Sequence, residues 1–104
     1  MSLIRGTEIH EEFELSMNQV DAFEKVVAAY EKIGKIKSKQ ASFFRIEGKI
    51  GSGFGNMNLA SVTVQVKRVS DTSCTLVVDA IAKEGVINQN TAPKAISRLL
   101  EAIQ

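Results

Sequence analysis

The stretch from Ser42 to Ala82 constrains the fold more than any other part of this 104-residue chain. It contains three segments in which apolar and polar residues alternate, FFRIEGKI, LASVTVQVKRV and CTLVVDAIA, and turn-forming residues separate them. A period of two is typical of half-buried strands, because successive side chains of a strand point to opposite faces. The stretch therefore predicts three consecutive antiparallel strands that share one apolar face.

The segment before these strands predicts one strand and one helix. Residues 8–15 alternate apolar and charged side chains, and Glu11 on the apolar side is typical of an edge strand. Ser16 begins a capping-box pattern, which predicts a helix over residues 17–33. Gly34 then fits the left-handed residue that commonly follows a helix end.

The segment after the three strands predicts a loop and a second helix, because Pro93 suits a first helical turn and an apolar stripe follows it. The element order β-α-β-β-β-α predicts an α+β fold with an antiparallel four-stranded sheet and two helices on one face. We interpret residues 4–104 as a single α+β domain and residues 1–3 as an added leader.

Composition excludes several classes of partner. The net charge is +1 and the pI is about 7.9, so no strong field favours nucleic acid. The strip formed by Lys35, Lys37, Lys39, Arg45 and Lys49 is interpreted as a solvated face rather than a nucleic-acid site. No apolar run approaches the roughly 18 residues of a membrane span, so we predict no span and a cytoplasmic location.

The residues that usually carry chemistry are sparse. His10 is the only histidine and Cys74 the only cysteine, so a catalytic pair requires these two to meet beside an acid. Gly51, Gly53 and Gly55 precede a strand, whereas phosphate-binding glycine loops precede a helix. We therefore predict no enzyme activity, no cofactor and no metal. Cys74 is interpreted as a buried apolar side chain.

Three stretches together resemble an uncharacterised family of small bacterial domains, either stand-alone or attached to lipoproteins. They are the connection Gly51–Gly55 with its aromatic Phe54, the strand Val62–Val66, and the loop and helix Asn88–Leu100. The resemblance implies the same β-α-β-β-β-α order over nearly the whole chain. It implies no activity and no ligand.

The predicted function is a small non-enzymatic interaction domain that self-associates through the open sheet face or a strand edge. The reason is that several apolar residues fall on the outward face or on the β-hairpin loop, outside the predicted core. A two-fold homodimer would bury them. The predicted interface residues are Phe43, Val77, Ile81, Phe54 and Met57.

The alternative is a binding domain for a small apolar ligand. In this hypothesis the first helix and the curved sheet enclose a pocket, since aromatic residues of both elements point into the space between them. The predicted pocket residues are Phe13, Phe23, Tyr30 and Phe44. An empty cavity of about 300 Å³ or more would favour this alternative, and a filled core would favour self-association.

Overall fold

The computed structural model describes residues 5–51, 59–84 and 91–103. One antiparallel sheet has the strand order β1-β5-β4-β3-β2. The two helices and the antiparallel sheet confirm the predicted α+β class, but the sheet has five strands rather than four. The elements are β1 (Arg5–Leu15), α1 (Gln19–Ile33), β2 (Gly34–Gln40), a 3-10 turn (Ala41–Phe43), β3 (Arg45–Gly51), β4 (Leu59–Ser70), β5 (Ser73–Glu84) and α2 (Thr91–Ile103).

The additional strand, β2, follows α1 directly and forms the edge of the sheet opposite β1. Its sequence GKIKSKQ contains one apolar residue, Ile36, so the alternation that marks a strand is absent. β2 comes so close to β3 that a Cβ atom at Gly48 would collide with the backbone of Lys35 and Ile36. Pairing with β3, rather than burial of its own side chains, therefore makes this segment a strand.

α1 ends at Ile33 as predicted, but its start and the conformation of the residue after it differ from the predictions. The helix begins after Asn18, whose side chain accepts a hydrogen bond from the backbone N–H of Asp21 at 2.8 Å, so the predicted start at Ser16 is wrong. The predicted left-handed Gly34 is also wrong, because its φ of −152° is extended. Its N–H donates to the carbonyl of Tyr30 and closes the helix as β2 begins.

The core lies between one face of the sheet and the two helices. The residues expected to point inward from the three central strands are buried, except Phe44, which is half-buried and precedes β3. The alternation within β3, β4 and β5 is therefore confirmed. β1 lies at an edge, as Glu11 indicated. The buried inward residues are Ile46 and Ile50 on β3, Val62, Val64 and Val66 on β4, and Leu76, Val78 and Ala80 on β5.

A side-chain hydrogen bond joins each helix to the sheet. Gln19 in the first turn of α1 donates from Nε2 to the carbonyl of Val66 on β4 at 2.9 Å. Arg98 of α2 donates from Nη1 to the carbonyl of Gly51, the last residue of β3, at 2.7 Å. Within the described ranges, neither helix combines the length and the apolar composition needed to cross a membrane.

Candidate functional site

Three of the predicted pocket residues lie near one end of the core. Phe13 on β1 is paired with Leu76 of β5, which is paired with Val66 of β4. The N–H of Val66 in turn donates to the carbonyl of Phe44 at 2.9 Å. The ring of Phe23 on α1 contacts the ring of Phe44 edge to face, with centroids 5.5 Å apart. We name Phe13, Phe23 and Phe44 the aromatic end.

Phe44 has an unusual backbone conformation. Its φ of 52° and ψ of 47° are left-handed, and no other non-glycine residue in the described ranges has a positive φ. Two backbone hydrogen bonds hold it there, one from its N–H to the carbonyl of Ala41 and one from Val66 to its own carbonyl. The ring of Phe23 is buried, whereas those of Phe13 and Phe44 are only half-buried.

Tyr30, the fourth predicted pocket residue, is part of the filled core. It is fully buried, and its hydroxyl donates to the backbone carbonyl of Val62 at 2.7 Å. Burial raises the pKa of this phenol, and the negative charge of Glu47 raises it further. The hydroxyl is therefore a neutral donor that fixes α1 against β4 rather than a group facing a ligand.

The opposite end of the sheet carries a cavity of about 350 Å³ lined by four lysines, which we name the lysine cavity. It lies where the end of α1 meets β2, β3 and β4. A neighbouring cavity of about 310 Å³ on the outer face shares Lys49 and Leu59 with it and is also lined by Ser61 and Ile81. The lining residues of the lysine cavity are Lys32, Ile33, Gly34, Lys35, Lys37, Lys49, Gly51 and Leu59.

Of the residues predicted to form an interface, Val77 and Ile81 lie on the outer sheet face, whereas Phe43 does not. Phe43 is 68% exposed, but it lies in the 3-10 turn before β3 rather than on the sheet face. Val77 is on the outer face and only 8% exposed, between Glu12 and Gln65 of the neighbouring strands. Ile81 is 45% exposed. The two loop residues of the predicted interface, Phe54 and Met57, lie outside the described residues.

Leu59 is a surface residue that the sequence interpretation missed. It is 48% exposed and lines the same outer-face cavity as Ile81. The signal was present, because Leu59 stands two residues before Ser61 and therefore on the outward side of β4. Ile81 and Leu59 thus line one cavity of the outer face, and Phe43 does not line it.

His10 and Cys74 do not form a catalytic pair. His10 is exposed on the outer face, where its Nδ1 lies 2.5 Å from Asp79 and its Nε2 3.1 Å from Glu12. Hydrogen bonds to Asp79 and Glu12 raise the pKa of this imidazole. Cys74 is buried on the inner face beside Leu15, and burial raises the pKa of its thiol. The described part of the chain contains no cluster suited to a metal ion.

Comparison with solved structures identifies the type of fold. The chain resembles a truncated norcoclaurine synthase from Thalictrum flavum, with 9% identity and a TM-score of 0.63 over 99% of this chain and 94% of that one. It also resembles a START superfamily protein from Mycobacterium smegmatis, with 10% identity and a TM-score of 0.55 over 92% and 93% of the two chains. A third similar structure is a conserved protein from Geobacillus kaustophilus, with 11% identity and a TM-score of 0.53 over 93% of this chain and 92% of that one.

These structures share a helix-grip fold, in which helices close over one face of an antiparallel sheet. At such low identities the likeness shows the fold alone. No family model matches the chain, and no curated protein is significantly similar to it in sequence. The resemblance to small bacterial domains therefore rests on the order of the elements, to which the structure adds β2.

Proposed function

We propose that the chain is a small non-catalytic binding domain that holds an apolar ligand at the aromatic end, against the half-buried rings of Phe13 and Phe44 rather than in the filled core around Tyr30. The observation that carries this proposal is the left-handed backbone of Phe44. Such a conformation costs on the order of 1–3 kcal/mol in a non-glycine residue and persists where the surroundings hold it. Here it places a half-buried ring edge-on against Phe23.

An apolar ligand would complete the burial of these rings. Phe13 and Phe44 keep part of their surface in water, although each ring packs against the core. Covering apolar surface contributes about 25 cal/mol per Å², so a ligand that covers the exposed part of either ring gains from its burial. One of the similar structures is a synthase, which supports a small molecule as the occupant. The separation of His10 and Cys74 supports binding without catalysis.

A neutral fluorescent probe, N-phenyl-1-naphthylamine, tests this proposal. Its fluorescence should increase on addition of the protein, and Phe44→Gly should weaken binding about tenfold, as expected for the loss of about 1.4 kcal/mol of contact. Glycine accepts the left-handed backbone, so this variant should fold. Ile81→Ala, an exposed apolar position on the outer face, is the control and should bind normally. Equal binding by both variants would contradict the proposal.

A second candidate function is self-association through the outer sheet face. The observation that favours it is the pair Leu59 and Ile81, both nearly half exposed beside one cavity. The two edges of this face also carry opposite charges. Glu8 and Glu12 lie on β1 at one edge, and Lys35 lies on β2 at the other. A two-fold axis parallel to the strands would set the acidic side of one copy against the basic side of another.

Sedimentation velocity at high micromolar concentration tests this candidate. A homodimer that Ile81→Lys converts to a folded monomer would support self-association. If the unmutated chain sediments as a monomer, the outer face is not used in this way.

A further inference from the structure

We infer that the lysine cavity is a separate binding site for a small amphipathic anion, that is, a carboxylate or phosphate that carries an alkyl chain. The inference goes beyond the proposed function, because this cavity lies at the end of the sheet away from Phe44. Phe44 immediately precedes β3, whereas Lys49 and Gly51 of the cavity lie near the end of β3. The two sites can therefore be tested independently.

The cavity concentrates positive charge that the described residues do not neutralise. Lys35 and Lys49 are directly opposite each other in the β2–β3 register, and like charges in this position destabilise a sheet. Glu47, the nearest acidic residue along β3, is already bound by the guanidinium of Arg45 at 2.6 and 3.0 Å. Over residues 8–51, 59–82 and 92–103, whose side chains the structure describes, no lysine forms an ion pair.

One of the four lysines has a structural explanation. Lys32 lies in the last turn of α1, where the negative end of the helix dipole favours a positive charge. Lys35, Lys37 and Lys49 lie on the strands and have no such explanation. A bound anion would offset the repulsion between Lys35 and Lys49. The other lysines of the cavity would also attract its negative charge.

Apolar walls beside the lysines indicate that the anion carries a hydrocarbon part. Ile33 and Leu59 line the lysine cavity, and Leu59 continues into the neighbouring cavity that contains Ile81. With the anionic group at Lys35 and Lys49, an alkyl chain would lie across Leu59 toward Ile81. The cavity volume of about 350 Å³ lies in the range of about 300–1,000 Å³ of small-molecule sites.

The arrangement fits a small anion better than single-stranded nucleic acid. Nucleic-acid grooves combine basic residues with aromatic rings on which bases stack. Among the described residues, the exposed aromatic ring is that of Phe43, which precedes β3, whereas Lys49 lies near the end of that strand. Arg45 and Lys49 alone are about 13 Å apart along the strand, so the ring does not adjoin the cavity.

Calorimetric titration with decanoate, kept below its micelle concentration in low salt, tests the inference. The unmutated chain should bind decanoate, and Lys49→Gln should weaken binding about tenfold. Lys67→Gln, an exposed outer-face lysine of β4 outside the cavity, is the matched control and should bind normally. Because Lys49→Gln removes a like-charged neighbour of Lys35, its melting temperature should stay the same or rise, which excludes unfolding as the cause.

Simpler probes separate the two parts of the ligand. Acetate carries only the anionic group and decanol only the chain, so each should bind much more weakly than decanoate. Equal binding of either probe would overturn the amphipathic assignment. Phe44→Gly should leave decanoate binding unchanged, and its loss in that variant would assign decanoate to the aromatic end and overturn the lysine site.

Vesicles distinguish a free ligand from a membrane lipid as the source of the anion. If the chain co-sediments with phosphatidylglycerol vesicles in a Lys49-dependent manner but does not bind decanoate, the same chemistry is met at a lipid surface. Binding to neither decanoate nor these vesicles would overturn the inference.

Discussion

Two adjacent residues of β4 give the sharpest test of the fold. Val64 is fully buried under the helices, whereas Thr63 lies on the outer face, directly opposite Glu47 on one side and Asp79 on the other. We expect Val64→Asp to prevent folding, Thr63→Asp to destabilise the chain mildly, and Thr63→Lys to stabilise it. The three variants differ in face and in charge but occupy one short stretch of one strand.

The magnitudes follow from burial and from cross-strand pairing. Val64→Asp loses about 1.5–3 kcal/mol of apolar burial. It also places a carboxylate in the core, at an effective cost of several kcal/mol. The sum is comparable to the roughly 5–15 kcal/mol that stabilises a whole domain. Thr63→Asp adds two like-charged cross-strand pairs at about 0.2–1 kcal/mol each, and Thr63→Lys adds two opposite-charged pairs of the same size.

Urea denaturation followed by circular dichroism measures all three variants. The opposite shifts of the two Thr63 variants should shrink in 0.5 M salt, because exposed charges are screened. A cooperatively folded Val64→Asp variant would show that the alternation of β4 is assigned to the wrong face. Equal effects of aspartate and lysine at Thr63 would contradict the pairing with Glu47 and Asp79.

Two further predictions concern the hydrogen bonds of Tyr30 and of His10. Tyr30→Phe removes the donor to the carbonyl of Val62 and should lower the unfolding free energy by about 0.5–1.5 kcal/mol in urea denaturation; an unchanged midpoint would argue against this bond. The pKa of His10 is raised above 6.5 in the folded chain, so its stabilising contribution is full below pH 6.5 and is lost as the pH rises through the folded value. The unfolding free energy of His10→Gln should therefore depend less on pH than that of the unmutated chain. An NMR titration of His10 with a midpoint at or below pH 6.5 would contradict its hydrogen bond to Asp79.

The candidate sites were only partly accessible from the sequence. Phe13, Phe23 and Phe44 were identified because each lies on an apolar stripe, and the structure places them near one end of the core. Tyr30 has the same pattern, yet its hydroxyl is used by the backbone of β4. The sequence predicts only a solvated face for the lysines near the end of α1. No sequence pattern shows which of these lysines become neighbours across strands.

The sequence by itself determined the α+β class, the three central strands and the face that each buries. These features follow from alternation with a period of two and a helical stripe, which are properties of local segments. The tertiary structure alone decided that GKIKSKQ is a strand, since its hydrogen bonds come from β3 and its own side chains are mostly polar. The lysine cavity exists for the same reason: pairing of β2 with β3 sets Lys35 against Lys49, a proximity that depends on register and not on composition.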